Sequence, residues 1–272
     1  MSAALNTWLQ AARRQAQQPP AQPRLPFFVA GHAVGSVAAG FWEENGLWRA
    51  LHGRLQRSED DRDGAPCWQL DVPAEGVSDA LNALASALRE RGLCGPWRDE
   101  QLAVCNAAGE RLGTVERGAV RVLGIATQAV HLVGLAPDGR MWVQKRSLTK
   151  PNDPGRWDTL MGGMISAADS LPQALARETW EEAGLRVAEL QQVGHGGHVL
   201  FCRPSSEGGG TGYMVERIDW FRATVPEGMA PANQDGEVDE FALRSTEELQ
   251  AQLAQDRFTL EAGLVMAAHW GL

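Results

Sequence analysis

Leu5, Trp8, Leu9 and Ala12 recur at helical spacing, so the pattern predicts a short first helix. It stops in QAQQPPAQPRLP, a Gln/Pro-rich run that cannot continue a helix. FFVAGHAVGSVA (27–38) reads as short strands about a Gly turn, and RSEDDRDGAP (57–66) as an exposed loop. VSDALNALASALRERG (77–92) is amphipathic: Val77, Leu81, Leu84 and Leu88 form a stripe. Ser78 or Asp79 is placed to cap its start and Gly92 to end it. QLAVCNAAGERLGTVER (101–117) predicts a hairpin turning at Ala107–Gly109.

The texture changes at Gly118. VRVLGIATQAVHLVGLAPDGRMWVQKRS (120–147) alternates apolar and small residues around a Pro-Asp-Gly turn, as paired strands do. GYMVERIDWFRATV (212–225) predicts another strand, and STEELQAQLAQ and LEAGLVMAAHWGL predict helices near the end. PSSEGGGTGY (204–213) lacks the strand–Gly loop–Lys–helix order of a phosphate cradle and reads as a hairpin loop. A boundary near Glu116–Gly118 divides the chain into a helix and linker (1–26), a small α+β domain (27–117) and a larger C-terminal domain (118–272).

Apolar residues make up 44% and charged residues 22%, which places the chain in the globular class. No run of about 18 apolar residues occurs, so no spanning helix is expected. The first 20 residues lack the apolar core and cleavage site of a signal peptide. Cys67, Cys94, Cys105 and Cys202 form no CxxC, so neither a disulfide framework nor a zinc site is expected, and a cytoplasmic location fits. With 25 basic and 34 acidic residues the net charge is −9. That field disfavours nucleic acid as a partner, and an anionic substrate then requires a cation or a local basic cluster.

The chemistry concentrates in GGMISAADSLPQALARETWEEAGL (162–185). Ser170 and Gln173 have capping-box spacing, and Gly184 suits the position after a helix, predicting a helix over about 170–183. At about 100° per residue, Glu178, Glu181 and Glu182 project to one side, continuing the stripe of Leu171, Ala174 and Leu175. Amphipathic surface helices set acids opposite leucines. Acids on the leucine side repel one another and need a cation. Hard divalent ions such as Mg²⁺ take such oxygen ligands together with substrate phosphates. The competing reading is a solvated charge run.

Gly163, five residues, the acidic Asp169, seven residues, then RETWEEAGL resembles the signature of the Nudix hydrolases. The resemblance implies an α/β fold, an α/β/α sandwich with a mixed sheet. It implies Mg²⁺ or Mn²⁺ held by Glu178 and Glu182 with Glu181 assisting, Arg177 bracing the first acid, and hydrolysis of a diphosphate by activated water. Two positions depart from the pattern: Asp169 where the family has Glu, and Thr179 where it has an aliphatic residue. VQKRSLTKPNDPGRWDTLMGG is similar to isopentenyl-diphosphate isomerases, which place Cys before the box glycine and His after it; Gly162 and Met164 stand here instead, without that proton-transfer chemistry. The chain also resembles, from about Phe27 onward, a thiamine-diphosphate-related branch with an extra N-terminal domain. That branch implies release of phosphate from thiamine diphosphate or its oxo and oxy analogues. Hydrolysis of ADP-ribose or an NADH-like dinucleotide, and a catalytically weak ligand sensor, are the alternatives.

Further candidates surround the helix. Lys145, Arg146 and Arg156 form a candidate diphosphate clamp, whereas Lys150 alone reads as surface. Glu237 or Glu240 is a candidate base or extra ligand, with Glu216 a weaker one. Trp157, Trp142 and His131 are candidates for a ring-stacking wall or for the core. His195 and His198 in GHGGH suggest a metal pair, but their glycines fit a turn better. The partner expected is a small diphosphate, with no membrane involved.

Overall fold

The computed structural model describes residues 2–47, 54–60 and 64–272. The first helix, α1 (Ala3–Ala16), starts on Ser2, whose hydroxyl accepts from the Leu5 amide at 3.2 Å. It buries Leu5, Leu9, Ala12 and Ala16 against the C-terminal helices, far along the chain, and not against the segment that follows it. Gly263 makes room there for Trp8: a Cβ at that glycine would lie 2.4 Å from the indole.

β1 (Arg24–Val29) and β2 (His32–Ala38) form an antiparallel hairpin through Ala30 and Gly31, both at positive φ. The short α2 (Phe41–Glu44), then β3 (Leu55–Glu59) and β4 (Pro66–Leu70), complete a sheet of order β2-β1-β4-β3. Residues 57–59, expected in a loop, therefore belong to a strand. Arg57 and Glu59 face solvent while their backbones pair with Trp68 and Pro66. Residues 61–63 of that expected loop lie outside the described residues. α3 (Val77–Glu90) buries the predicted stripe, but neither Ser78 nor Asp79 caps it. The helix begins earlier, and Ser78 instead accepts from the Thr114 amide (3.0 Å). That bond ties α3 to the hairpin of β5 (Gln101–Cys105) and β6 (Arg111–Glu116).

Residues 120–125 were expected to be strand, but 117–125 are not. They form a 3₁₀ turn and bends, because Ala119, Val120, Val122, Leu123 and Ile125 fill the core beneath the first sheet. β7 (Ala126–Leu135) then turns through Pro-Asp-Gly into β8 (Met141–Arg146). β9 (Trp157–Asp158) and β10 (Met161–Met164) lead to α4 (Leu171–Ala183). β11 (Gln191–Ser205), the Gly-rich turn α5 (Glu207–Gly210), β12 (Gly212–Thr224), β13 (Val238–Arg244), α6 (Thr246–Ala254) and α7 (Leu260–His269) follow.

The second sheet has the order β11-β12-β7-β8-β13, with β10 on β7 and β9 on β8. β12 runs parallel to β7 and the other pairs are antiparallel, so the sheet is mixed. α1, α6 and α7 cover one face, over Val133, Val143, Phe201 and Ile218. α4 covers the other, over Val130 and Leu132. The expected α/β/α sandwich is the fold. GHGGH lies within β11, not in a turn: a Cβ at Gly196 would overlap the Trp220 ring at 1.9 Å, so the glycine serves cross-strand packing.

β7 gives its middle, Ala129 to Leu132, to β10 and only Gly134 and Leu135 to β8. The sheet divides there, and Gln144 of β8 and Gly162 of β10 both reach the end of α4 from beneath.

Candidate active site

α4 is set by its own sequence. Gln173 accepts from the Ser170 amide (2.9 Å) and hydroxyl (2.7 Å), closing the predicted box at its start. Gly184 ends the helix at φ 63°, where the amides of Gly184 and Leu185 return to the last turn. Thr179 is fully buried and satisfies its hydroxyl on the Leu175 carbonyl (2.6 Å), so the aliphatic position tolerates it.

Glu182 is 1% exposed, two turns beyond Leu175 and Ala174 and on their side. Its Oε2 accepts from Gln144 Nε2 (2.7 Å) and the Gly162 amide (3.0 Å), and its Oε1 from Lys150 Nζ (3.2 Å). Lys150 also pairs with Glu237. Burial opposes the Lys150 charge, but Glu182 and Glu237 outweigh it and raise its pKa. Burial pushes the Glu182 carboxyl up, against the pull of Lys150.

Glu178 packs against β10. A Cβ on Gly163 would stand 2.3–2.5 Å from its carboxylate, so the box glycine vacates the space that the acid fills. Burial, which outweighs the pull of Arg177, together with Glu182 and Glu181, pushes Glu178 up to about 7. Arg177 ties the turn together: its Nε donates to Asp169 (2.8 Å) and its Nη1 to Glu178 (3.0 Å) and Glu181 (2.9 Å). Asp169 thus reaches Arg177 despite being a methylene shorter than Glu. Glu181 is the more exposed of the three acids.

On the floor, His131 Nδ1 lies 2.9 Å from Thr159 Oγ1, which itself donates to the Met161 carbonyl (2.9 Å). With its proton so used, the threonine accepts, placing the imidazole proton on Nδ1. The His131 ring fills the space beside Gly162, where a Cβ would lie 2.7 Å from it. Asp158 accepts from the Thr159 amide (2.8 Å) and from Arg146 (3.3 Å).

These groups open onto one cavity of about 1100 Å³. It brings together Gly163, Arg177, Glu178, Glu181, Glu182, Arg146 and Glu237 of the sequence-derived candidates, with Glu216 and His131. Lys145, Arg156, Trp157 and Glu240 are absent from its walls. Arg156 points the other way, donating to Asp256 (2.9 Å) and the Phe258 carbonyl (2.7 Å). Trp157 is 8% exposed and packs in the core under α1, α6 and α7. Register places Lys145 opposite the exposed Glu240 on the outer ladder. Trp142 packs with the α4 core, leaving the apolar lining to side chains such as Val120, Met164, Met214 and Ile218. His195 pairs with Asp219 (2.9 Å), and no metal-competent group of three or more His, Cys, Asp or Glu occurs among the described residues.

Lys150, Gln144 and Asp158 carry contacts that no spacing announced. Lys150 read as a surface lysine because its two acids come from α4 and the segment before β13, both remote in sequence.

The donor set is nevertheless of the kind a hard divalent ion takes. Asp169, Glu178, Glu181, Glu182 and Glu237 face the cavity, and Arg177 and Lys150 are the cations paired with them. Arg177 holds one oxygen each of Glu178 and Glu181, and Lys150 one each of Glu182 and Glu237.

A profile for the NUDIX domain matches residues 126–262, about half of the chain. The chain belongs to the Nudix family. This Nudix chain is 31% identical over 231 residues to Nudix hydrolase 24, chloroplastic, of Arabidopsis thaliana, covering 80% of this chain and 59% of that one. That match is longer than the profile match, so it extends into the part outside the Nudix domain. An uncharacterised Nudix hydrolase of Pseudomonas aeruginosa is 34% identical over 98 residues, 36% of this chain and 54% of the relative. The chain therefore spans little more than half the length of these two relatives. A solved structure from Deinococcus radiodurans is similar at 18% identity and a TM-score of 0.49, covering 63% of this chain and 98% of that one.

Proposed function

We propose that the chain is an Mg²⁺-dependent (or Mn²⁺-dependent) diphosphohydrolase acting on thiamine diphosphate or an oxidised analogue, giving the monophosphate and phosphate. The observation that carries the hydrolase reading is the buried Glu182 and largely buried Glu178 on the leucine side of α4, facing a cavity that cations also line. In this reading Glu178 and Glu182, with Glu181, hold the ion, which neutralises diphosphate charge and lowers the pKa of attacking water. Arg177 and Asp169 fix the turn that presents these acids. The Gly162 amide and Gln144 hold Glu182 in one rotamer. Glu237, paired with Lys150 on the cavity wall, would serve as the general base, and Lys150 would bind phosphate.

The thiamine substrate rests on the resemblance of the chain from Phe27 onward. A ring at the far end of the ligand has methionine and aliphatic contacts available in place of a tryptophan stack. The widely spaced cysteines, with no CxxC among them, suit a reducing compartment such as the cytoplasm. Among the described residues no helix is long and apolar enough to cross a membrane. One observation favours a second reading, a weakly catalytic diphosphate sensor: Lys150 and Arg177 already occupy the carboxylates.

The test is a panel with Mg²⁺ or Mn²⁺: thiamine diphosphate, its oxo and oxy forms, ADP-ribose, NADH and isopentenyl diphosphate, with products identified. Phosphate plus a monophosphate is the expected outcome. AMP release overturns the thiamine assignment, and binding without turnover favours the sensor.

A further inference from the structure

Seven Arg and Lys side chains line the cavity: Arg98, Arg117, Arg121, Arg146, Lys150, Arg177 and Arg203. Six are spoken for. Arg117 bonds Glu100 (2.7 Å), Arg121 bonds Glu216 (2.8 Å), and Arg203 bonds Glu261 (2.9 Å). Arg146 bonds Asp158 (3.3 Å), Lys150 holds Glu182 and Glu237, and Arg177 holds three acids. Arg98 is the exception: among the described residues its guanidinium has neither a hydrogen bond nor an ion pair, although its side chain is exposed on the cavity wall.

Its backbone is fixed all the same. The Arg98 amide donates to Glu116 Oε1 (2.8 Å), and Glu116 is 1% exposed. Gly95 donates to the Gly118 carbonyl (2.7 Å), and Arg117 donates from its amide to the Glu100 carbonyl (2.9 Å). The 95–100 segment is thus strapped to 116–118, where the first core meets the Nudix part. The charges of Arg117 and Arg98 also act on Glu237, helping Lys150 to lower its pKa against burial. Arg98 therefore stands within electrostatic reach of Glu237, which lines the same cavity.

We propose that Arg98 is a substrate-anchoring residue, supplied by the N-terminal part, that binds a phosphate of a diphosphate held between it and α4. The proposal rests on the diphosphate reading of this cavity. An uncommitted guanidinium gives paired donors to phosphate without breaking an existing ion pair. Each of the other six already holds a carboxylate. The N-terminal part thereby completes the ligand site.

The direct test is calorimetric binding of inorganic diphosphate, with Mg²⁺ present, to the full chain and to Arg98→Ala, Arg98→Lys and Arg14→Ala. Arg14, exposed on α1 and outside the cavity, controls for loss of bulk charge. Arg98→Ala is expected to weaken binding about tenfold or more, Arg98→Lys less, and Arg14→Ala not at all. Equal affinity of wild type and Arg98→Ala, or no binding by wild type, overturns the proposal. If no compound in the panel is hydrolysed but the Arg98→Ala loss is found, the anchoring role stands and the hydrolase reading falls. If hydrolysis is found with KM and diphosphate affinity unchanged in Arg98→Ala, the hydrolase reading stands and the anchoring role falls.

Discussion

At the scale of single residues, the site depends as much on absent side chains as on present ones. Gly163 leaves the volume that the Glu178 carboxylate occupies, and Gly162 leaves that of the His131 ring. A methyl at Gly163 meets the end of a flexible acid, so Gly163→Ala is expected to fold with a nearly unchanged Tm while displacing Glu178. Misplacing a catalytic group by about 1 Å costs on the order of 100-fold in kcat/KM. Full activity of Gly163→Ala, by steady-state kinetics, would contradict the packing described. The acids themselves were legible in the sequence, because their angle on the helix put them on the leucine side. Lys150 was not, since its burial is created by Glu182 and Glu237 arriving from elsewhere. Trp157, open in the sequence between a ring-stacking wall and the core, is core: a parallel bridge joins it to Phe258.

At the scale of elements, α4 was the most readable, since its cap, stripe and stop all lie within 16 residues of sequence. Gly184 sits at φ 63°, and a Cβ there would approach the Ala232 carbonyl to 2.5 Å. Gly184→Ala is therefore expected to cost about 1–3 kcal/mol in urea denaturation, and a cost below about 0.5 kcal/mol would contradict the strained cap. β11 and β13 were less readable for a tertiary reason. The glycines of β11 look like turn residues until Trp220 is seen packed across Gly196, and the acids of β13 look like loop until β8 pairs with them. Residues 117–125 show the reverse: their apolar run has a strand's composition, but the residues fill the first core as bends.

At the scale of the whole molecule, sequence order and spatial order part company. α1 comes first in the chain yet closes the far face of the second sheet, with Leu5 and Leu9 almost fully buried among α6 and α7 residues. Removing residues 2–17 exposes that face. The loss of these two leucines alone is expected to cost about 3–6 kcal/mol, read as a lower Tm and dye binding to exposed apolar surface. A truncated chain of unchanged Tm would mean that α1 contributes little. The central claim is that the carboxylate side of α4, with a divalent ion, hydrolyses a diphosphate in the cavity shared with the N-terminal part. Its most direct test is the rate of Mg²⁺-dependent phosphate release from thiamine diphosphate by wild type and by Glu182→Gln. The account predicts release by wild type that stops with chelator and falls on the order of 100-fold or more in the variant. No release by wild type, or equal release by both proteins, would contradict it.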